Sequence, residues 1–276
     1  MPVKLRPRTT HISLLALGAL LEVGSGEQEG ALDVFLGEEK FDTQRLFEGE
    51  RNPNIVVALD STVVASWGEV EDNFALGRKG IRIRRSEEGG ESWGPLITVV
   101  KPCWHGGGVT VDDDPPGADC DPALRWEAWS EDGGPSWKDA ATCRILPDGA
   151  RKSVGPGSGC LAGLVRLPVS GRDILLYSNC DSPTAERRDV TVWASFDGAK
   201  TWPLKRRVWK GPSAYSSFDA GRPKTASEGW IYILLEGGER HRYEDGHMAR
   251  FNLSWLLQGE RTGDGELTGW LKRKDG

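Results

Sequence analysis

The side chains able to do chemistry in this chain are scattered singly beside strand-like runs. Arg51 precedes Ile55 to Leu59, the pair Arg187-Arg188 precedes Val190 to Trp193, Tyr215 follows Gly211-Pro212-Ser213-Ala214, and Glu236 ends the run from Trp230 to Leu235. A planar guanidinium binds a carboxylate through two parallel hydrogen bonds, where lysine acts only as a point charge, so arginines brought together would favour an anionic carboxylate ligand. Taken one at a time, these residues have plainer roles: a solvated cation before a strand, a surface arginine pair, an aromatic capping a strand, a paired edge acid. Other candidates are thinner. His105 beside Gly106-Gly107-Gly108 suits a polar pocket or a turn, and Asp112-Asp113-Asp114 before Pro115-Pro116 suits a calcium loop or a solvated one. The cysteine spacings match no zinc pattern, and no Ser/His/Asp set or phosphate loop stands out.

What must position such scattered residues is signalled by a repeat. Ser86-Glu87-Glu88-Gly89-Gly90-Glu91-Ser92-Trp93, Ser130-Glu131-Asp132-Gly133-Gly134-Pro135-Ser136-Trp137 and Ser195-Phe196-Asp197-Gly198-Ala199-Lys200-Thr201-Trp202 share the form Ser-x-acid-x-Gly-x-Ser/Thr-Trp, allowing for small changes within it. Each follows an apolar or β-branched run, where a strand ends and the chain turns back. The acid bonds its own backbone across the turn, glycine supplies positive φ, and the tryptophan folds back over the hairpin. Three such units tens of residues apart predict a repeat architecture, an all-β propeller. They resemble the Asp-box of sialidases, also called the BNR repeat, and in that family the boxes lie on blade hairpins away from the active site. The boxes therefore speak for fold and not for chemistry.

Three further stretches resemble the sialidase (neuraminidase) family, and the resemblance spans about residues 32 to 256. Arg51-Asn52-Pro53 is similar to the Arg-Ile-Pro motif that opens the first blade, with Asn52 in place of the isoleucine. Arg187-Arg188-Asp189-Val190-Thr191-Val192 leads into the third box as the family's last clamp arginine does, and alignment through the strand selects Arg187. Gly211 to Ser217, Trp230 to Gly238 and Tyr243 to Leu256 resemble the closing blade. The resemblance implies that Arg51 and Arg187 bind the substrate carboxylate, Tyr215 is the nucleophile, and Glu236 orients Arg51. Sialic acid carries a carboxylate on its anomeric carbon, which would repel a carboxylate nucleophile, so the family uses tyrosine. Its general acid should lie between the first blade's second strand and the first box, where Glu69, Glu71 and Asp72 are available and Asp72 is selected. The activating glutamate and the middle arginine have no matching segment. Glu127, Arg125 and Arg166 are substitutes by residue type alone, and roughly one blade is expected to be shortened or missing from a six-bladed ring.

Composition fits this picture and excludes others. The chain has 276 residues, 36 glycines, 16 prolines and 12 tryptophans, and no long amphipathic helical stretch. A net charge of −6 with scattered Lys and Arg argues against nucleic acid as a partner. Lys4, Arg6 and Arg8 before an apolar run from Ile12 to Val23 predict a signal peptide over residues 1–26, a single propeller domain over 27–276, and a secreted or lumenal location without an integral membrane span. Five cysteines fit an oxidising compartment with at least one unpaired, and Asn252-Leu253-Ser254 is an acceptor sequon read as a surface glycan site. The expected activity is exo-α-sialidase hydrolysis of a sialylated glycoprotein, oligosaccharide or glycolipid, with no cofactor. The alternative is a catalytically impaired propeller that binds such glycans or another protein.

Overall fold

The computed structural model describes residues 31–58, 60–70, 79–103, 124–129, 138–149 and 160–271. Among the described residues, fifteen strands run in chain order: β1 (Phe41–Glu48), β2 (Arg51–Val57), β3 (Val63–Val70), β4 (Lys79–Ser86), β5 (Ile97–Cys103), β6 (Leu124–Trp129), β7 (Lys138–Pro147), β8 (Gly163–Arg166), β9 (Leu175–Cys180), β10 (Val190–Ser195), β11 (Leu204–Arg207), β12 (Ser213–Ala220), β13 (Ile231–Gly237), β14 (Asp245–Phe251) and β15 (Glu260–Arg261). One short helix, α1 (Leu253–Leu257), follows β14. All strand pairings are antiparallel between neighbours, giving sheets in the orders β2-β3-β4-β5, β6-β7, β15-β11-β10-β9-β8 and β1-β14-β13-β12.

The last order carries the architecture. Strand β1 belongs by sequence to the start of the chain, yet it pairs with β14 from Phe41 opposite Phe251 to Glu48 opposite Asp245, completing the sheet of the last three strands. Successive up-and-down sheets, with the first strand completing the last sheet, make a β-propeller, an arrangement that covers most sheet edges. The described strands form four sheets, one of them the two-stranded β6–β7 pair.

Sheets stack face to face, so their middle strands are apolar on both sides. Strands β9, β10 and β13 are buried at every residue. One core joins Leu176, Val192, Leu204, Ile233 and Phe251 between the β8–β11 sheet and the closing sheet; a second joins Ile55, Val63, Trp67, Tyr232 and Met248 between the closing sheet and the β2–β5 sheet. Inner strands are stitched by polar bonds: the Val57 amide donates to Asp219 at 2.6 Å, the Ile55 amide to Ser217 at 3.3 Å, and the Ser216 amide to the Leu161 carbonyl at 3.1 Å. These bonds align β2 and β8 along either side of β12.

The first and third boxes form the turns between β4 and β5 and between β10 and β11. Gly89, Gly90 and Gly198 have φ of 61°, 80° and 75°, the left-handed geometry for which glycine was expected. The second box, residues 130–137, lies outside the described residues, as do residues 1–26, Cys120, His105 and Asp112 to Asp114. Cys143, Cys160 and Cys180 are buried thiols.

The sequon reading is corrected. Asn252 is buried and caps α1: its side-chain oxygen accepts from the Trp255 amide at 2.9 Å and the Lys40 amide at 3.1 Å, while its amide nitrogen donates to the Glu38 carbonyl at 2.7 Å. A glycan would have to replace the last of those bonds inside the fold, so Asn-Leu-Ser here is a helix cap.

Candidate active site

Arg51 and Tyr215 both sit at breaks in strand register. The β2–β3 ladder skips between Arg51 and Asn54, and the β12–β13 ladder skips between Ser213 and Ser216. A bulge of this kind turns a side chain away from the pleat's alternation and releases a backbone amide for another use. Asn52 lies inside the first break with φ of 61°, a conformation that asparagine tolerates and β-branched isoleucine does not. This explains the departure from Arg-Ile-Pro at that position: Asn52 is exposed and does not pack.

Glu236, fully buried near the end of β13, gathers both breaks. Its Oε1 accepts from the Arg51 Nε at 2.9 Å and from the Asn52 amide at 2.9 Å, and its Oε2 accepts from the Tyr215 amide at 3.3 Å. Arg51 and Glu236 side chains are 11% and 0% exposed. A charge buried this deeply is tolerated only when paired and hydrogen-bonded, and here Glu236 is met by Arg51, its neighbour Asn52 and Tyr215.

Arg187 reaches the same place from the loop before β10. Its backbone carbonyl accepts from the Ser213 amide at 3.2 Å, and its guanidinium carbon lies 5.6 Å from the Tyr215 ring centre. Arg51 approaches the same ring at 5.2 Å. Arg188 turns instead to Asp189, with Nε 3.2 Å from the carboxylate, so of the two adjacent arginines it is Arg187 that enters the site. Burial opposes the charge on Arg187, but Cys160, Tyr243 and Tyr215 outweigh it and hold its pKa above the ordinary value. Beneath Arg187, the hydrogen bond between the Cys160 and Cys180 thiols holds Cys160 below the usual thiol range and, with burial, pushes Cys180 well above it. Cys180 also contacts the Ser213 and Ala214 carbonyls at 3.5 and 3.6 Å, directly behind Tyr215.

Two guanidinium groups converging on one phenol ring, one of them held by a buried glutamate, are therefore a structural fact. The chain is 33% identical over 131 residues to a sialidase from Micromonospora viridifaciens; the match takes in 47% of the chain and 18% of that protein.

The chain is sialidase-like.

Among solved structures, the intramolecular trans-sialidase from Ruminococcus gnavus in complex with oseltamivir carboxylate matches at 16% identity over 76% of this chain and 44% of its own, with a TM-score of 0.38. The leech intramolecular trans-sialidase complexed with 2,7-anhydro-Neu5Ac matches at 13% over 75% and 31%, also with 0.38. The NanB sialidase from Streptococcus pneumoniae matches at 11% over 73% and 30%, with 0.37. Superposition at that level argues nothing by itself, and the fold rests on the sheet topology. No family model matches. The sialidase-like chain spans less than a fifth of the Micromonospora protein.

Four of the five site residues expected from the sequence, Arg51, Arg187, Tyr215 and Glu236, thus meet. Asp72, the fifth, lies outside the described residues, as does Glu71. Arg166 does not join them: it pairs with Asp173 at 3.1 Å. Arg125 and Glu127 lie on β6, and their side chains are likewise outside the described residues. Tyr243 has no role assigned by the sequence, yet its ring lies 3.5 Å from the Arg51 guanidinium carbon and its hydroxyl accepts from Arg187 Nη1 at 3.3 Å. The available signals are its place seven residues after Glu236 and at the start of the stretch from Tyr243 to Leu256 that resembles the closing blade. Among the described residues no group of His, Cys, Asp or Glu could hold a metal ion, and no helix is long and apolar enough to cross a membrane.

Proposed function

We propose that this sialidase-like chain removes terminal α-linked sialic acid from glycoproteins, oligosaccharides or glycolipids, with retention through a tyrosyl intermediate on Tyr215. The observation that carries this reading is the convergence of Arg51 and Arg187 on the Tyr215 ring, with Glu236 holding Arg51. In this reading the two guanidinium groups bind the carboxylate on the anomeric carbon and bring that carbon to the phenol oxygen. Arg187 also hydrogen-bonds the Tyr215 hydroxyl, placing positive charge beside the oxygen that attacks. A phenol hydroxyl approaches a substrate carboxylate without the repulsion that a carboxylate nucleophile would meet. Water then releases the sugar from Tyr215 with the configuration of the starting glycoside. Asp72 is proposed as the acid that protonates the departing oxygen. The basic and apolar residues 1–26 support a secreted or lumenal site of action.

One observation favours a second reading, a propeller that binds sialylated glycans without turning them over. Both oxygens of Glu236 already accept hydrogen bonds, from Arg51, Asn52 and the Tyr215 amide, which engages this carboxylate in holding the site together rather than in taking the Tyr215 proton. The test is release of a fluorescent aglycone from an α-sialoside by the full chain, beside Tyr215→Phe. Turnover that vanishes in the variant supports the hydrolase. Saturable binding of the α-sialoside without turnover, lost in Arg51→Ala, supports the binding module, and neither turnover nor binding rejects both.

A further inference from the structure

Two arginines that approach one ring repel each other, and something must hold them at a fixed spacing. Tyr243 is built to do so. Its ring face lies against Arg51 at 3.5 Å, closer than the Tyr215 ring, while its hydroxyl accepts from Arg187 at 3.3 Å. Ring face and phenol oxygen are both attractive to a cation, and only tyrosine presents the two at opposite ends of one rigid plate.

The loop that carries Tyr243, residues 238–244, is ordered for the purpose. Glu244 Oε2 accepts from the Glu239 and Arg240 amides at 3.0 Å each, its Oε1 accepts from Arg240 Nε at 2.8 Å, and its backbone carbonyl accepts from the Gly49 amide at 2.8 Å. The last bond ties the loop to the segment that delivers Arg51. The Tyr243 amide donates to His241 Nδ1 at 3.2 Å, fixing the direction in which the ring leaves the loop. At Gly238 a Cβ would stand 2.4 Å from the Glu244 Cβ, so the absent side chain is what lets Glu244 fold under the loop.

We propose that Tyr243 is the positioning residue of the guanidinium pair: its face holds Arg51, its hydroxyl holds Arg187, and together they set the spacing that accepts one carboxylate. This rests on the pair being the carboxylate clamp of the proposed function, and it makes separate demands on the two arginines. Tyr243→Phe keeps the ring on Arg51, which Glu236 also holds, and removes only the hydroxyl from Arg187; Tyr243→Ala removes both contacts.

The experiment is arginine modification of the full chain by phenylglyoxal, followed residue by residue by peptide mass spectrometry, with α-sialoside kinetics alongside. Loss of a hydrogen bond to a charged group should speed modification of Arg187 about tenfold in Tyr243→Phe while Arg51 keeps its rate, and should raise KM for the α-sialoside by about the same factor with a much smaller change in kcat. In Tyr243→Ala both arginines should react faster. Arg222 and Arg250, held by Val57 and Asp42 elsewhere in the fold, must keep their rates, since a rise there would mean general loosening and overturn the assignment. Unchanged reactivity of Arg187 in both variants also overturns it. The expected arginine pattern without any wild-type turnover would leave the positioning role standing and reject the hydrolase; turnover with an unchanged pattern does the reverse.

Discussion

The third box turn and the arginine site are both dense polar networks, but they are assembled at different ranges. In the turn, Ser195 Oγ donates to Asp197 at 2.9 Å and accepts from the Ala199 amide at 2.9 Å, and Asp197 accepts from the Thr201 amide and hydroxyl at 3.0 and 2.7 Å, all within a span of seven residues. In the site, Arg51 and Glu236 are separated by 185 residues, and Arg187 and Tyr243 by 56. The turn needs only its own sequence; the site exists only once the sheets have packed. The turn's network is thus closed by neighbours in sequence, whereas the chemistry depends on contacts between residues far apart in the chain.

The widest separation between the two regions should come from Glu236→Ala. Removing one partner strands the Arg51 charge in a place where its side chain is 11% exposed, an effect expected to cost about 3–5 kcal/mol by urea unfolding. Pairing it with Arg51→Met should return most of that loss, because no uncompensated charge then remains. If the double variant is as unstable as Glu236→Ala alone, the pair is not what stabilises the joint between β2 and β13.

A smaller loss is expected in the turn. Asp197→Ala removes three hydrogen bonds at a half-buried position and should cost about 1–2 kcal/mol, with Arg51 chemistry untouched. Its pH dependence has a definite sign. Partial burial raises the Asp197 pKa, but the Thr201 and Ser195 hydrogen bonds outweigh it and leave the folded value below the ordinary one. The contribution is therefore complete above the unfolded value of about 4 and fades as pH falls through the lower folded value. The stability gap between wild type and Asp197→Asn should be constant from neutral pH down to about 4 and close below it. A gap that widens in acid would contradict this.

The same difference in range accounts for what the sequence discloses. Box turns carry their own chemistry in consecutive residues, so Ser195 to Trp202 announces a hairpin on its own. Arg51, Arg187, Tyr215 and Glu236 are recognisable because each stands in a motif-like stretch, but their convergence depends on bulges at Arg51 and Ser213 to Ser216 that no local signal marks. Tyr243 sits in an irregular loop, and its role depends on two side chains delivered by other sheets. Asn252 misleads for the opposite reason: the triplet is local, while its burial follows from Glu38 and Lys40 arriving from the far end of the chain.

The smallest effect compares one box with another. In the first turn Glu88 takes the acid's place, and its longer side chain accepts from the Ser92 hydroxyl, at 2.6 Å, from an exposed position; Ser86 accepts from the Gly90 amide, as Ser195 does from Ala199, and also from the Glu88 amide. Trp93 is half-buried against the Tyr232 and Met248 core, whereas Trp202 is buried with its ring 6.2 Å from Tyr177. Glu88→Ala should therefore cost no more than about 0.5 kcal/mol, several-fold less than Asp197→Ala. Glu88→Asp, which restores the shorter carboxylate, should move the first turn toward the stability of the third. Equal losses at the two positions would mean that serine and the glycines, and not the acid, determine the turn.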